Sequence, residues 1–273
     1  MRDSRFAWGA RTYVMGIVNV TPDSFSGDGV VATDAAVERA VAQRAEGADL
    51  LDFGGESTRP GHDAVEEAVE LARVIPAIER TRRLLSDAPI SVDTYKPNVA
   101  RAAHAAGADI VNSVWGLSDA LLETAAELSM PVIAMHNQLG TEYENGVVDS
   151  VLAFLQSCAD RAMRRGIARE RIVLDPGIGF GKTPDQNIEV LRGLDRLVAL
   201  GFPTMLGASR KSTIGKLTGR EPHERVHGTV STTALAVAAG IDVVRVHDVS
   251  AARDGVAVAD AIVRDWRPDG WTG

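Results

Sequence analysis

Cysteine is almost missing. The 273 residues hold one, Cys158, so no intrachain disulfide staples the fold, which fits a reducing cytoplasm. Long apolar runs are missing too. None approaches the roughly 20 residues of a membrane span, and no apolar stretch of signal-peptide type follows the basic start Met1-Arg2-Asp3-Ser4-Arg5. These lacks predict a cytoplasmic protein that does not cross a membrane. Basic excess is also lacking: 29 Lys and Arg stand against 37 Asp and Glu, a formal net charge of −8. Neutralising many phosphates needs basic surface, which argues against a nucleic-acid partner. A small anion held by a few local groups stays open, because net charge says little about one pocket. Linkers, low-complexity tracts and charge blocks are missing as well, so residues 1–273 are expected to form one domain.

What is present is a rhythm: a short apolar run, a polar junction, then an Ala-rich amphipathic stretch. The runs are Val14–Val18, Asp49–Phe53, Ile90–Val92, Ile110–Val111, Val132–Met135, Ile172–Leu174, Thr204–Leu206 and Val243–Val246. Helices are predicted over Asp34–Gly47, Ala64–Leu85, Pro97–Gly107, Asp119–Leu128, Val147–Gly166, Asp185–Leu200 and roughly Glu221–Ala239, with a last one ending near Trp266. Strict alternation of strand and helix means parallel strands joined by helical crossovers. Near-continuous apolar strands mean that both sheet faces are buried. The expected fold is an α/β protein, a single-domain (β/α)8 TIM barrel. The runner-up is an open doubly wound sheet; eight units without a second domain or an antiparallel coda favour closure. Thr21–Thr33 is the least regular stretch.

Polar residues are distributed unevenly about these units. Segments entering strands are bland and repeat Gly-x-Asp: Gly47-Ala48-Asp49, Gly107-Ala108-Asp109 and Gly240-Ile241-Asp242, read as helix C-cap and turn. Segments leaving strands carry Asn19, Asp52, Asp93, Asn112, His136, Asp175, Ser209-Arg210-Lys211 and Arg245-Val246-His247-Asp248. In such barrels chemistry sits at the carboxyl ends of the strands. Two junctions read as anion binders: Asp175-Pro176-Gly177-Ile178-Gly179-Phe180-Gly181-Lys182-Thr183, through close approach of glycine amides, and Gly207–Ser212, through two cations and two hydroxyls after strand seven.

Two motifs mislead. Gly181-Lys182-Thr183 suggests a phosphate loop, but the required upstream glycine is Pro176. His223-Glu224-Arg225-Val226-His227 has metalloprotease spacing, but no third ligand follows, and a solvent-facing helix start is expected instead. Cys158 is expected in the core and His104 at the surface. Trp115 is read equally as pocket lining or as packing beneath a loop.

Taken together, the junctions resemble the dihydropteroate synthases of the pterin-binding family. The resemblance spans nearly the whole chain, through Met15-Gly16-Ile17-Val18-Asn19-Val20-Thr21-Pro22-Asp23-Ser24-Phe25-Ser26, Gly54-Gly55-Glu56-Ser57-Thr58-Arg59-Pro60-Gly61, Ser91-Val92-Asp93-Thr94, Met135-His136, Asp175–Lys182, Ser209-Arg210-Lys211-Ser212 and Arg245-Val246-His247-Asp248. Seven landmarks in order, each at a different strand end, are highly specific. The resemblance implies a folate-pathway transferase that joins 6-hydroxymethyl-7,8-dihydropterin diphosphate to 4-aminobenzoate and releases diphosphate. It also implies Mg²⁺, a homodimer and a sulfonamide target. Carried over residue by residue, it puts pterin on Asp93, Asn112, Asp175 and Lys211, and diphosphate on Asn19, Thr58, Arg59, Arg245 and His247. Aminobenzoate falls to Thr58, Pro60, Phe180, Lys211 and Ser212, with Asn19 carrying the metal and Lys211, Arg245 and Asn19 central to catalysis. Asn19–Gly29 and Thr58–His62 resemble the family's mobile loops. The sequence departs at Asn112-Ser113, where the family usually reads Asn-Asp, and at Ser26-Gly27-Asp28-Gly29, where it reads Ser-Asp-Gly-Gly. The alternatives are a non-catalytic pterin-binding paralogue and a corrinoid-dependent methyltransferase.

Overall fold

The computed structural model describes residues 6–20, 29–56, 64–268 and 270–272. Strands β1 (Tyr13–Asn19), β2 (Leu50–Gly54), β3 (Ile90–Asp93), β4 (Ile110–Ser113), β5 (Val132–Met135), β6 (Ile172–Asp175), β7 (Met205–Leu206) and β8 (Val243–Val246) form one parallel sheet in the order β6-β5-β4-β3-β2-β1-β8-β7. The two edges then meet. The Leu174 amide donates to Pro203 O at 2.9 Å, and Leu174 bridges Thr204 in parallel register. The sheet is therefore the closed TIM barrel expected from the alternation.

Helices α1 (Gly29–Ala45), α2 (Glu67–Leu84), α3 (Pro97–Ala106), α4 (Asp119–Glu127), α5 (Val147–Arg164), α6 (Pro184–Arg192), α7 (Leu194–Val198), α8 (Ser212–Thr218), α9 (Val226–Ala239) and α10 (Val249–Val263) connect the strands. Side chains alternate across a strand, and here the alternation sorts the core. Val14, Val18, Leu51, Phe53, Val92, Val111, Val132, Leu174 and Val244 point outward and join the large core with the helices. Tyr13, Met15, Leu50, Ile110, Ile133, Val173, Met205 and Val243 form a separate cluster inside the barrel. Two residues further along, the inward positions turn polar: Leu50 leads to Asp52, Ile110 to Asn112, Val173 to Asp175 and Val243 to Arg245. The barrel is thus apolar at its floor and charged at its mouth.

The Gly-x-Asp repeats prove to be latches. Gly47, Gly107 and Gly240 end their helices at φ of 99°, 112° and 97°, a conformation that favours glycine. The aspartate two residues on accepts a backbone N–H from the neighbouring strand or its lead-in. Asp49 takes Val14 N at 2.8 Å, Asp109 takes Ile90 N at 2.9 Å and Asp242 takes Thr204 N at 2.9 Å. The repeated motif belongs to assembly of the barrel floor.

Three predicted helices differ and one helix is additional. In place of Asp34–Gly47, α1 begins at Gly29, inside the stretch read as least regular. Asp185–Leu200 divides into α6 and α7 at Gly193, where a Cβ would meet Val148 Cγ1 of α5 at 3.1 Å. The segment after β7 forms the additional helix α8, stopped by Gly219 at φ 69°. Glu221–Ala239 opens with a separate 3-10 turn at Pro222–Glu224, so His223 and His227 stand on different elements, not on one helix face. Cys158 is buried in the main core, as expected, and burial pushes its thiol up. His104 is exposed, and Trp115 is about half exposed in the turn after β4.

Candidate active site

The mouth is built around Arg245. Its Nε donates to Asp52 Oδ2 at 2.6 Å and its Nη2 to Asp93 Oδ2 at 3.2 Å. Asp52 is fully buried. Its carboxylate also takes Asn112 Nδ2 at 3.0 Å and the Ser91 hydroxyl. Asp93 and Asn112 stand opposite each other in the β3–β4 register. Each keeps a buried oxygen, Asp93 Oδ1 and Asn112 Oδ1, without a hydrogen-bond partner among the described residues. Burial, and then the neighbouring Asp52 charge, hold Asp93 above the usual carboxylate range. Burial works against the Arg245 charge, but Asp52 and Asp93 outweigh it and hold the guanidinium above its ordinary value.

Opposite these groups, Asp175 is buried at the end of β6. It accepts Gly177 N at 2.7 Å, and burial raises its pKa. Lys211 projects from the N-cap of α8 with Nζ 3.9 Å from the centre of the Phe180 ring. Burial, and then the Arg245 charge, lower the Lys211 pKa to about 7. A Cβ on Gly207 would lie 3.5 Å from Asp175 Oδ2 and 4.0 Å from Arg245 Cβ, so glycine keeps this part of the mouth free. Phe180, 8% exposed, packs with Val114 and Met135.

His247 lies beside this group. Ser209 Oγ accepts the His247 backbone N–H at 3.1 Å and lies 3.0 Å from Nδ1. The shared hydroxyl has one hydrogen and two lone pairs, so it serves Nδ1 as donor or as acceptor, according to the ring tautomer. Burial, and then Arg245, lower the His247 pKa to about 3. The ring is neutral at physiological pH.

The structure brings together Asp93, Asn112, Asp175, Lys211, Phe180, Arg245 and His247. Asn19 is exposed at the end of β1, and Ser212 is exposed at the start of α8. Thr58, Arg59, Pro60, most of Asn19–Gly29 and the Thr58–His62 loop lie outside the described residues. Ser113 alternates away from Asn112 along β4, and its buried Oγ has no partner.

Two anion-binder readings need correction. In the glycine-rich loop, Gly177 N is spent on Asp175 and Gly179 N on Asn187 Oδ1 at 2.7 Å. The glycines serve close packing: a Cβ would lie 1.9 Å from His136 O at Gly177 and 2.5 Å from Gln138 O at Gly181. After β7, only one of the two cations faces the mouth, because Arg210 is turned to Asp248, with Nε–Oδ2 at 2.8 Å.

The sequence reading assigned no role to Asp52 or to the His136–Lys182 pair. Buried Lys182 uses all three ammonium donors: Gly177 O at 3.0 Å, Phe180 O at 3.0 Å and His136 Nδ1 at 2.9 Å. Burial lowers its pKa to about 8 and that of His136 to about 3. Lys182→Met is expected to leave Phe180 O and His136 Nδ1 buried and unmatched, while Gly177 O keeps the Phe180 amide at 3.2 Å. It should lower the unfolding free energy by about 2 kcal/mol, read as a lower urea midpoint at unchanged m-value. An unchanged midpoint would show that this ammonium does not hold the loop.

Residues 15–247 match the model of the pterin binding enzyme family, and the chain belongs to that family. It is 44% identical over 263 residues to a dihydropteroate synthase of Clostridium beijerinckii, covering 95% of this chain and 97% of the relative. The dihydropteroate synthase of Xanthomonas albilineans, solved with 4-aminobenzoic acid, superposes with a TM-score of 0.88 at 48% identity, covering 92% of this chain and 93% of that one. The same enzyme in complex with 7,8-dihydropteroate gives a TM-score of 0.87 at 44% identity, covering 95% and 96%.

Proposed function

We propose that Asp93 Oδ1 and Asn112 Oδ1 form the floor of a pterin slot in a single-domain dihydropteroate synthase. The reaction joins 6-hydroxymethyl-7,8-dihydropterin diphosphate to 4-aminobenzoate, giving 7,8-dihydropteroate and diphosphate. The carrying observation is that pair of unpartnered acceptors, side by side and buried. A dihydropterin edge offers ring N–H and amino donors that fit them, and an analogue lacking those donors leaves both oxygens unmatched at high cost. Asp175 adds an acceptor and Lys211 a donor for the far edge of the ring.

The C–O bond of the pterin methylene breaks toward diphosphate while the aniline nitrogen attacks that carbon and then loses a proton. Holding the departing anion and placing the amine carry the rate. Arg245 supplies charge and His247 a neutral imidazole, with Thr58 and Arg59 completing the anion seat. Phe180, Lys211, Ser212, Thr58 and Pro60 form the aminobenzoate seat. Mg²⁺ takes a few protein oxygens and shares the rest with phosphate and water. The exposed Asn19 amide at the rim suits that role, and the ion would neutralise diphosphate there.

The test incubates the purified protein with pterin diphosphate, Mg²⁺ and 4-aminobenzoate and measures diphosphate. Stoichiometric release with dihydropteroate is expected; bound pterin without release would make the chain a non-catalytic binder. Among the described residues no helix is long and apolar enough to cross a membrane, and a cytoplasmic setting is part of the proposal.

The protein works as a homodimer through the outer face of α9 and α10, where Leu235, Val258 and Ile262 are 70%, 63% and 78% exposed. Contiguous exposed apolar side chains mark interaction surfaces, and a second copy supplies the same patch. Leu235→Glu with Ile262→Glu should halve the mass seen by light scattering. An unchanged mass would place the contact elsewhere.

A further inference from the structure

We propose that the floor of the barrel, at the end opposite the mouth, is a binding site for a neutral, flat aromatic molecule of one or two rings with one acceptor at its edge. The cavity there measures about 490 Å³, within the roughly 300–1,000 Å³ range of small-molecule sites. Its walls are inward residues of six strands: Met15, Leu50, Ile110, Ile133, Val173 and Val243. None of these six is polar, which disfavours a charged guest against them; Pro131, Glu170 and Arg171 complete the lining with the lid.

The lid is aromatic and held in place. Phe6 and Trp8 stack at 5.0 Å with planes 5° apart, and both meet the Tyr13 ring edge-on. Trp8 Nε1 donates to Glu170 O at 2.9 Å, Ala7 N to Tyr13 Oη at 2.6 Å and Gly9 N to Asp242 Oδ1 at 2.9 Å. The lid therefore adds flat π surface to aliphatic walls, a pairing that suits a planar ring. Arg171 also lines the cavity, and its Nε is buried without a partner. A buried unmatched donor is costly, and a carbonyl on the guest edge would satisfy it. Nothing in the proposed reaction uses this donor or this chamber. Floor and mouth are distinct: none of Asp52, Asn112, Asp175 and Arg245 lines this cavity, and each stands one inward position beyond its wall residues.

The probe is coumarin, a neutral fused pair of rings with one lactone carbonyl, titrated by calorimetry into the full chain. One equivalent should bind, and saturating 4-aminobenzoate should not displace it. Ile133→Trp, which fills the cavity, should weaken binding at least tenfold. Trp8→Ala, which opens the lid without changing a strand residue, should do the same if Ile133→Trp fails to fold. Arg171→Met should weaken coumarin while leaving naphthalene, which has no acceptor, unchanged. The proposal falls if coumarin does not bind, if 4-aminobenzoate displaces it, or if Trp8→Ala leaves its affinity intact. It falls also if coumarin binds only to a chain lacking residues 1–5, since the amino terminus would then be the natural occupant.

Discussion

Arg245→Met is expected to lower the unfolding free energy by about 3–5 kcal/mol at pH 8, the usual cost of leaving a buried partner charge uncompensated. The reason is local. Asp52 and Asp93 are both buried and share this one guanidinium, at 2.6 Å and 3.2 Å. Asp52 keeps Asn112 and Ser91 as donors, but Asp93 would lose the one side-chain donor it has among the described residues. The deficit should depend on pH with a definite sign. Asp93 already sits above the ordinary 3.8 in the folded protein, and loss of Arg245 raises it further. Between the parent's folded value of about 7 and the variant's higher one, the folded variant binds more protons than the folded parent, so the deficit grows with pH there. It is full above the variant's value and falls to a constant remainder below about 7. Urea midpoints at pH 8 and pH 5 would show it. The double variant Arg245→Met, Asp93→Asn should recover part of the loss, a non-additivity that two neighbouring groups must show. If the single variant melts like the parent at pH 8, the ionic cluster is not what holds the mouth together.

That cluster also shows which parts of the protein were legible in the sequence. Alternation alone gave the barrel, because eight parallel strands buried on both faces must read as apolar runs between helices. Functional groups at the strand ends gave the mouth. Pairing inside the mouth was not legible. Asp52 stands in the inward phase with Leu50 and Gly54, and Ser91 with Asp93, so parity along each strand held the signal. Choosing which carboxylate takes Arg245, however, requires the barrel's cross-section. The glycine-rich junction misled for a related reason. Glycine permits close approach, but sequence does not say whether the approaching partner is a ligand or, as here, the His136 and Gln138 carbonyls. Gly193, where the predicted Asp185–Leu200 helix divides, likewise sits close against Val148 on another helix, a contact that no local pattern encodes.

Lys211→Ala is expected to reduce kcat/KM for pterin diphosphate by about 10²–10³-fold, the range for removing one preorganised donor from a reacting site. It should also raise KM for 4-aminobenzoate. One ammonium faces both seats, lying 3.9 Å from the Phe180 ring centre on one side and feeling the Asp175 and Asp93 charges on the other. The pH profile separates this role from simple packing. Burial and Arg245 bring the Lys211 pKa to about 7, and the proposed role needs the charged form. The profile of kcat/KM reports the free enzyme, so activity should fall as pH rises through about 7. Lys211→Arg would be slower, because a planar guanidinium does not occupy the place of an ammonium, yet it stays charged throughout. Its alkaline limb should therefore move beyond pH 10 while its plateau drops. An alkaline limb near pH 7 that survives in the arginine variant would assign that titration to another group and remove Lys211 from the centre of the reaction.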